Sequence, residues 1–178
     1  MLLKWIGVFW TMEIGFSLGS NLGDKLSFLK IARNKLLEKK DGVLLEQSSV
    51  YLTKPVNVPE MYLKHIFLNA VIIIETDISA EYWLNHLSNI EREMGRIRGE
   101  QINQPRFIDI DIVYYSNQII DTPNLKIPHP RCFERGFVLA PLAEVRPNLI
   151  LPGQAKKVYK LWESLQDKEG LKKTLDSW

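Results

Sequence analysis

Pro105-Arg106-Phe107-Ile108-Asp109-Ile110-Asp111-Ile112-Val113 is the stretch on which the fold turns. Isoleucines at 108, 110 and 112 alternate with aspartates at 109 and 111. That is the period of a strand, with one wholly apolar face and two carboxylates on the other. Residues i and i+2 of a strand lie about 6.6 Å apart and point the same way. Like charges at that spacing repel unless a cation lies between them. Oxygen-only donors suit Mg²⁺, which takes one or two carboxylates and completes its shell with water and phosphate oxygens. Arg92, Arg96, Arg98 and Arg106 all fall within 15 residues just upstream. A carboxylate-held metal beside guanidinium groups suits phosphoryl transfer from a nucleotide. Two acids on a strand would serve equally as the solvated face of an edge strand. The unbroken isoleucine face predicts instead a core strand of the sheet, with its acids kept for chemistry.

Working outward from this strand, residues 13–18 alternate and read as a first strand. Gly19-Ser20-Asn21-Leu22-Gly23 then turns the chain, and Ser20, Asn21 or Asp24 can cap a helix running to about residue 38. Residues 43–52 read as a second strand, 54–59 as a proline-broken loop and 67–74 as a third strand. Asp77 or Ser79 caps a second helix, whose Trp83, Leu87, Ile90 and Met94 share a face and which Gly95 stops. The order β-α-β-β-α-β is that of a ferredoxin-like sandwich, an α+β fold with an antiparallel sheet flanked by helices. C-terminal additions follow: a loop over 123–130 and short helices over 137–144 and 158–165.

The 178 residues suffice for one core, and residues 13–178 are expected to form a single domain. A hydrophobic fraction of 46%, a charged fraction of 25% and a net charge of +2 are ordinary and give no footprint for nucleic acid. The single cysteine, Cys132, excludes an internal disulfide framework and fits a reducing cytoplasm. Residues 1–12 are expected to be an N-terminal extension. Their apolar run at 5–10 is too short to span a bilayer, and Met12 reads as the natural start.

Other motifs have plain structural explanations. Arg96 and Arg98 follow a helix end, where cations complement the macrodipole; with Arg106 nearby, a triphosphate grip becomes the better reading. Arg92, one turn back, reads as a surface residue pairing with Glu91 or Glu93. The 19–23 turn is neither a P-loop nor a dinucleotide fingerprint. His129 stands between Pro128 and Pro130, which stiffen the chain around it. His65 and His86 read as surface or partly packed residues. Phe67, Phe137 and Asn69 suit core packing or the reading of a flat heterocycle.

Seven segments together resemble the 6-hydroxymethyl-7,8-dihydropterin pyrophosphokinase family. They are Gly19-Ser20-Asn21-Leu22-Gly23-Asp24, Tyr51-Leu52-Thr53-Lys54-Pro55, Phe67-Leu68-Asn69-Ala70, Gly95-Arg96-Ile97-Arg98, residues 105–111, Pro128-His129-Pro130 and residues 135–142. The resemblance implies that ATP gives its β- and γ-phosphates together to the pterin hydroxymethyl oxygen, releasing AMP, in folate biosynthesis. It implies two Mg²⁺ ions on Asp109 and Asp111, with Arg96 and Arg106 joining these two in catalysis. Glu91, Arg96, Arg98, Arg106, Ile112, His129 and Arg135 would face ATP. Thr53, Val56, Phe67, Asn69 and Phe137 would face the pterin. Partners would be these small molecules alone, without nucleic acid or membrane, and the protein a cytoplasmic monomer.

The chain departs from the family where Ile102-Asn103-Gln104 replaces a basic and aromatic or asparagine stretch before Pro105, and where the loop around Val56-Asn57 lacks a glycine. A two-metal phosphohydrolase or nucleotidyltransferase would use the same aspartates without needing a heterocycle clamp. An RNA-recognition domain of this architecture wants a basic face with exposed aromatics, and here two acids occupy it.

Overall fold

The computed structural model describes residues 11–38, 41–55, 59–96, 104–166, 168 and 170–178. Strand β1 (Met12–Ser20) leads into helix α1 (Lys25–Glu38). Of the three possible caps for α1, Asp24 is the one used: its carboxylate accepts the Ser27 N–H at 3.1 Å and the Ser27 hydroxyl at 2.8 Å. Strands β2 (Val43–Gln47) and β3 (Val50–Thr53) follow, then β4 (Phe67–Thr76) and helix α2 (Ala80–Glu93). Ser79 caps α2 by accepting the Tyr82 N–H, and Gly95 beyond it takes a φ of 88°. Strand β5 (Asp109–Tyr115) carries the aspartates. The hairpin β6 (Ile120–Asp121) and β7 (Lys126–Ile127), helices α3 (Gly136–Val145) and α4 (Val158–Ser164), and strand β8 (Lys172–Leu175) complete the chain.

The main sheet runs β5-β1-β4-β3-β8, with β2 also paired to β4, and its pairings are antiparallel. Without the added β8 this is the ferredoxin-like arrangement, its second strand divided. The single strand expected over 43–52 breaks at Ser48 and Ser49 because Ser48 leaves the ladder. Its N–H reaches the Val71 carbonyl, and its hydroxyl accepts the Val71 N–H. Two elements differ from expectation: part of the loop over 123–130 forms the β6–β7 hairpin, and β8 adds a strand at the β3 edge.

The sheet has two unlike faces. Ile14, Phe16, Leu18, Ala70, Ile72, Ile74, Ile110 and Ile112 point toward α1 and α2 and form the larger core with Leu29, Leu36, Trp83 and Ile90. At about 1.5–3 kcal/mol per large side chain, burial on this face is the main stabilising term. On the opposite face, α3 and α4 cover only part of the sheet, packing Val138, Leu139, Leu142 and Val158 onto Val71, Ile73, Val113 and Tyr114. The remainder of that face carries the polar residues.

β5 is an edge strand, not the core strand that its isoleucine face suggests. Burial of Ile108, Ile110 and Ile112 comes from the helices beneath, so an edge position satisfies the pattern as well. Two further readings change. His86 is buried, packing beside Tyr82 and Trp83 on α2. Arg92 donates to Asn89 Oδ1 at 2.9 Å, while Glu91 is buried and turned toward Arg96.

Candidate active site

Strand register assembles the site. Asp109 lies opposite Gly19 on β1, Gly19 opposite Asn69 on β4, and Asn69 opposite Tyr51 on β3. The next row places Asp111 opposite Ser17 and Ser17 opposite Val71. Beyond Glu13, which pairs with Tyr114 and Arg146 at its start, β1 presents only Gly15, Ser17 and Gly19 to this face, a shallow trough between the acids of β5 and the amide of β4. Gly19 holds the trough open. A Cβ there would stand 2.8 Å from Asn69 Oδ1 and 3.8 Å from the Phe67 ring.

Asp109 anchors the cationic side. Arg96 Nη1 meets Asp109 Oδ1 at 2.6 Å, and Arg106 Nη2 meets Oδ2 at 2.7 Å. Arg96 also pairs with the buried Glu91, whose carboxylate accepts the Ile110 N–H at 2.9 Å. Burial pushes the Glu91 carboxyl up, and Arg96 with the Ile110 N–H only partly counters this. Burial also opposes the Arg96 charge, but Asp109 and Glu91 outweigh it and hold the guanidinium protonated. Asn21 fixes the approach: its Oδ1 accepts the Arg106 N–H at 2.8 Å, and its own N–H donates to the Arg106 carbonyl at 3.3 Å. Arg106 Nε is buried with no acceptor among the described residues.

Asp111 is held more loosely. Arg135 Nη1 lies 3.3 Å and His129 Nε2 3.9 Å from its Oδ2. Burial, then the neighbouring Asp109, pushes the Asp111 carboxyl up. Burial lowers the His129 pKa against the pull of Asp111. His129 Nδ1 accepts the Arg131 N–H at 3.1 Å, so the neutral imidazole carries its proton on Nε2, toward Asp111. The His129 N–H donates to the Val113 carbonyl at 2.9 Å, which ties this loop to the β5 edge.

These features fit a divalent cation. Two carboxylates project from one strand face, and guanidinium groups stand where positive charge is needed. Among the described residues no cluster of three or more His, Cys, Asp or Glu forms a closed metal cage. A pair of this kind leaves most of a Mg²⁺ shell to phosphate oxygens and water.

The aromatic and amide residues lie along the other side of the trough. Asn69 is buried, and its Nδ2 donates to Thr53 Oγ1 at 2.8 Å, leaving Oδ1 directed over Gly19. Phe67 lies opposite Thr53, and half-buried Phe137 opens α3 with the Arg135 guanidinium 5.5 Å over its ring.

The structure thus brings Glu91, Arg96, Arg106 and Asp109 into one cluster, Asp111, His129, Arg135 and Phe137 into a second, and Thr53, Phe67 and Asn69 into a third. Ile112 departs from the expected set: its side chain packs in the opposite core, because the strand alternation that exposes Asp111 turns Ile112 inward. Arg98 and Val56, with the departures at Ile102 and Asn57, lie outside the described residues. Sequence reasoning missed Gly19, Asn21 and the organising part of Glu91. A signal existed for the first, since Gly15, Ser17 and Gly19 are three small residues on one face of a strand.

A family model for 7,8-dihydro-6-hydroxymethylpterin-pyrophosphokinase (HPPK) matches residues 15–147. The Pneumocystis carinii folic acid synthesis protein fol1 is 39% identical over 154 residues, 85% of this chain and 20% of its own length. The chain thus spans a fifth of that relative. The Bacillus subtilis 2-amino-4-hydroxy-6-hydroxymethyldihydropteridine pyrophosphokinase is 38% identical over 129 residues, 72% of this chain and 75% of its own length. Among solved structures, a Plasmodium falciparum HPPK-DHPS superposes with a TM-score of 0.71 at 16% identity, covering 92% of this chain and 49% of the other, which shows a shared fold. With its family model matched across three-quarters of its length and its acid pair, arginines and amide in one trough, the chain belongs to the 7,8-dihydro-6-hydroxymethylpterin-pyrophosphokinase family.

Proposed function

We propose that this chain transfers the β,γ-diphosphate of ATP to the hydroxymethyl oxygen of 6-hydroxymethyl-7,8-dihydropterin and releases AMP, a step of folate biosynthesis. One observation carries the reading: Asn69, Gly19 and Asp109 share a single row of the sheet, so a heterocycle reader and a metal anchor face each other across one glycine. The hydroxymethyl oxygen attacks the β-phosphorus and gives up its proton to solvent, the bond from that phosphorus to the α-phosphate bridging oxygen breaks, and AMP departs with that oxygen.

Asp109 and Asp111 hold two Mg²⁺ ions, which when bound neutralise the triphosphate and acidify the alcohol. Triphosphate binding draws Arg96 and Arg106 from Asp109 onto phosphate oxygens, where the charge they carry stabilises the departing group. Arg98 adds a further cation, and Arg135 with the Nε2–H of His129 serves the phosphates beside Asp111. Glu91 holds Arg96 in place behind the nucleotide, and Ile112 offers the nucleotide only its backbone. Asn69 Oδ1 accepts from the pterin edge, Phe67 and Phe137 stack on its faces, and Thr53 and Val56 close the slot. Positioning and charge stabilisation thus carry most of the rate enhancement.

The unit performing this reaction spans residues 13–178 and works as a cytoplasmic monomer on small molecules alone. No helix among the described residues is long and apolar enough to cross a membrane. Incubation with ATP, Mg²⁺ and hydroxymethyl-dihydropterin tests the reading: AMP appears in step with the diphosphorylated pterin. ADP, or hydrolysis indifferent to the pterin, overturns it. A two-metal phosphohydrolase leaves Phe67, Asn69 and Phe137 without work. Thermal stabilisation by a pterin together with a non-hydrolysable ATP analogue separates that reading from this one.

A further inference from the structure

Phe137 and Glu144 stand at positions i and i+7 of α3 and so project from one stripe of that helix, about 10.5 Å apart along its axis. Glu144 gathers donors from two strands. Its carboxylate accepts the Ser49 N–H at 3.1 Å, the Ser49 hydroxyl at 2.6 Å, the Tyr51 hydroxyl at 2.9 Å and the Lys173 ammonium at 3.1 Å. Ser49 and Tyr51 belong to β3 and its entry, and Lys173 to β8. Tyr51 lies opposite both Asn69 and Lys173 in register. The row that holds Asp109, Gly19 and Asn69 therefore continues through Tyr51 to Lys173, and Glu144 grips its far end from above. Burial, then the Glu144 hydrogen bond, pushes the Tyr51 hydroxyl up to about 12, so it stays a donor throughout the working pH range.

We infer that Glu144 is a positioning residue for the pterin: by tying α3 to β3 and β8 it sets the separation between the Phe137 ring and the Thr53–Asn69 wall. This inference rests on the proposed function. The geometry gives it a one-sided consequence. Of the nucleotide-facing groups, Arg96, Arg106 and Asp109 are held by Glu91, Asn21 and one another at the opposite end of the row, without recourse to Glu144, and Arg135, at the start of α3, is held separately by Asp111 on β5.

The test uses the full chain with 6-hydroxymethylpterin, the oxidised and unreactive form, titrated by fluorescence in the presence of Mg²⁺ and a non-hydrolysable ATP analogue. A parallel titration measures the analogue alone. In Glu144→Gln an amide NH₂ meets donors that a carboxylate had accepted, so the pterin Kd rises about tenfold while the analogue Kd stays within about twofold. Tyr51→Phe removes one of the donors and leaves the charge, and gives a smaller rise in the same direction. It carries the test if Glu144→Gln fails to fold. An unchanged pterin Kd, or equal weakening of pterin and analogue, overturns the inference and leaves the proposed function standing. Failure of the unaltered chain to bind the pterin overturns both.

Discussion

At the scale of single residues, space and charge make separable demands on the trough. Gly19 has no left-handed backbone, so alanine fits the strand there; what it lacks is room. An added Cβ meets Asn69 Oδ1 at 2.8 Å, and the amide cannot step aside because Thr53 holds its other end. Gly19→Ala is expected to raise the KM for the pterin about tenfold with little change for ATP. Steady-state kinetics varying each substrate in turn will check this, and equal effects on both would refute it. Asp111 poses the charge problem. Its folded-state pKa is raised, so its stability contribution is present below the unfolded value and is lost as pH rises through the folded one. Without metal, ionising this carboxyl therefore costs the fold stability. Asp111→Asn is expected to abolish AMP formation while raising Tm in EDTA, since the amide removes the charge that burial and Asp109 oppose. Asp109→Ala also abolishes AMP formation but lowers Tm, since Arg96 and Arg106 then face each other without the shared acid. Near-normal turnover in either variant would sink the metal-binding assignment. These acids and arginines were legible in the sequence because their side chains declare their chemistry. Gly19 was only hinted at by its small neighbours on the strand face, and its importance arises when register sets Asn69 opposite it; Asn21 gave no signal, because it matters only once the chain after β1 lies beside the chain before β5.

The elements show how an edge strand can carry a site. β5 pairs with β1 on one side only, leaving outward backbone donors on the other. At Ile110, between the two aspartates, that donor is taken by Glu91 of α2, which also holds Arg96. Glu91→Ala strands the Ile110 N–H and deprives Arg96 of one carboxylate. It should lower stability by about 1–3 kcal/mol and slow AMP release. Glu91→Gln keeps an acceptor for Ile110 and should recover most of the stability but not the rate. Denaturant midpoints for the two variants decide the point; equal midpoints for Glu91→Ala and the unaltered chain would dismiss the bond. The helices and the four strands of the βαββαβ core were readable because periodicity and caps mark them locally, though not the break at Ser48 and Ser49 that divides the second strand into β2 and β3. β8 was not: all four of its residues are exposed, and only the β3 edge makes them a strand. The edge position of β5 escaped for a related reason. An isoleucine face reports burial under helices and says nothing of lateral neighbours.

Across the whole molecule, the sheet divides labour between its faces, and acid should expose the division. The face toward α1 and α2 is an apolar core indifferent to pH. The other face is fastened in part by carboxylates, with Glu144 joining α3 to β3 and β8. Burial alone would raise the Glu144 pKa, but donation from Ser49, Lys173 and Tyr51 overcomes it and holds the carboxyl below its ordinary value. A depressed pKa gives stability that is present above the unfolded value of about 4.3 and lost as pH falls through the folded one. The unaltered chain is therefore expected to lose Tm below about pH 5, with Glu144 contributing to the slope. Glu144→Gln has no charge to lose, so its Tm should lie below that of the unaltered chain at pH 7 and approach it as pH falls toward 3. Melting curves across that interval distinguish the alternatives. A constant offset between the two proteins would mean that Glu144 serves through shape alone; convergence at low pH would mean that its charge fastens α3 to the sheet.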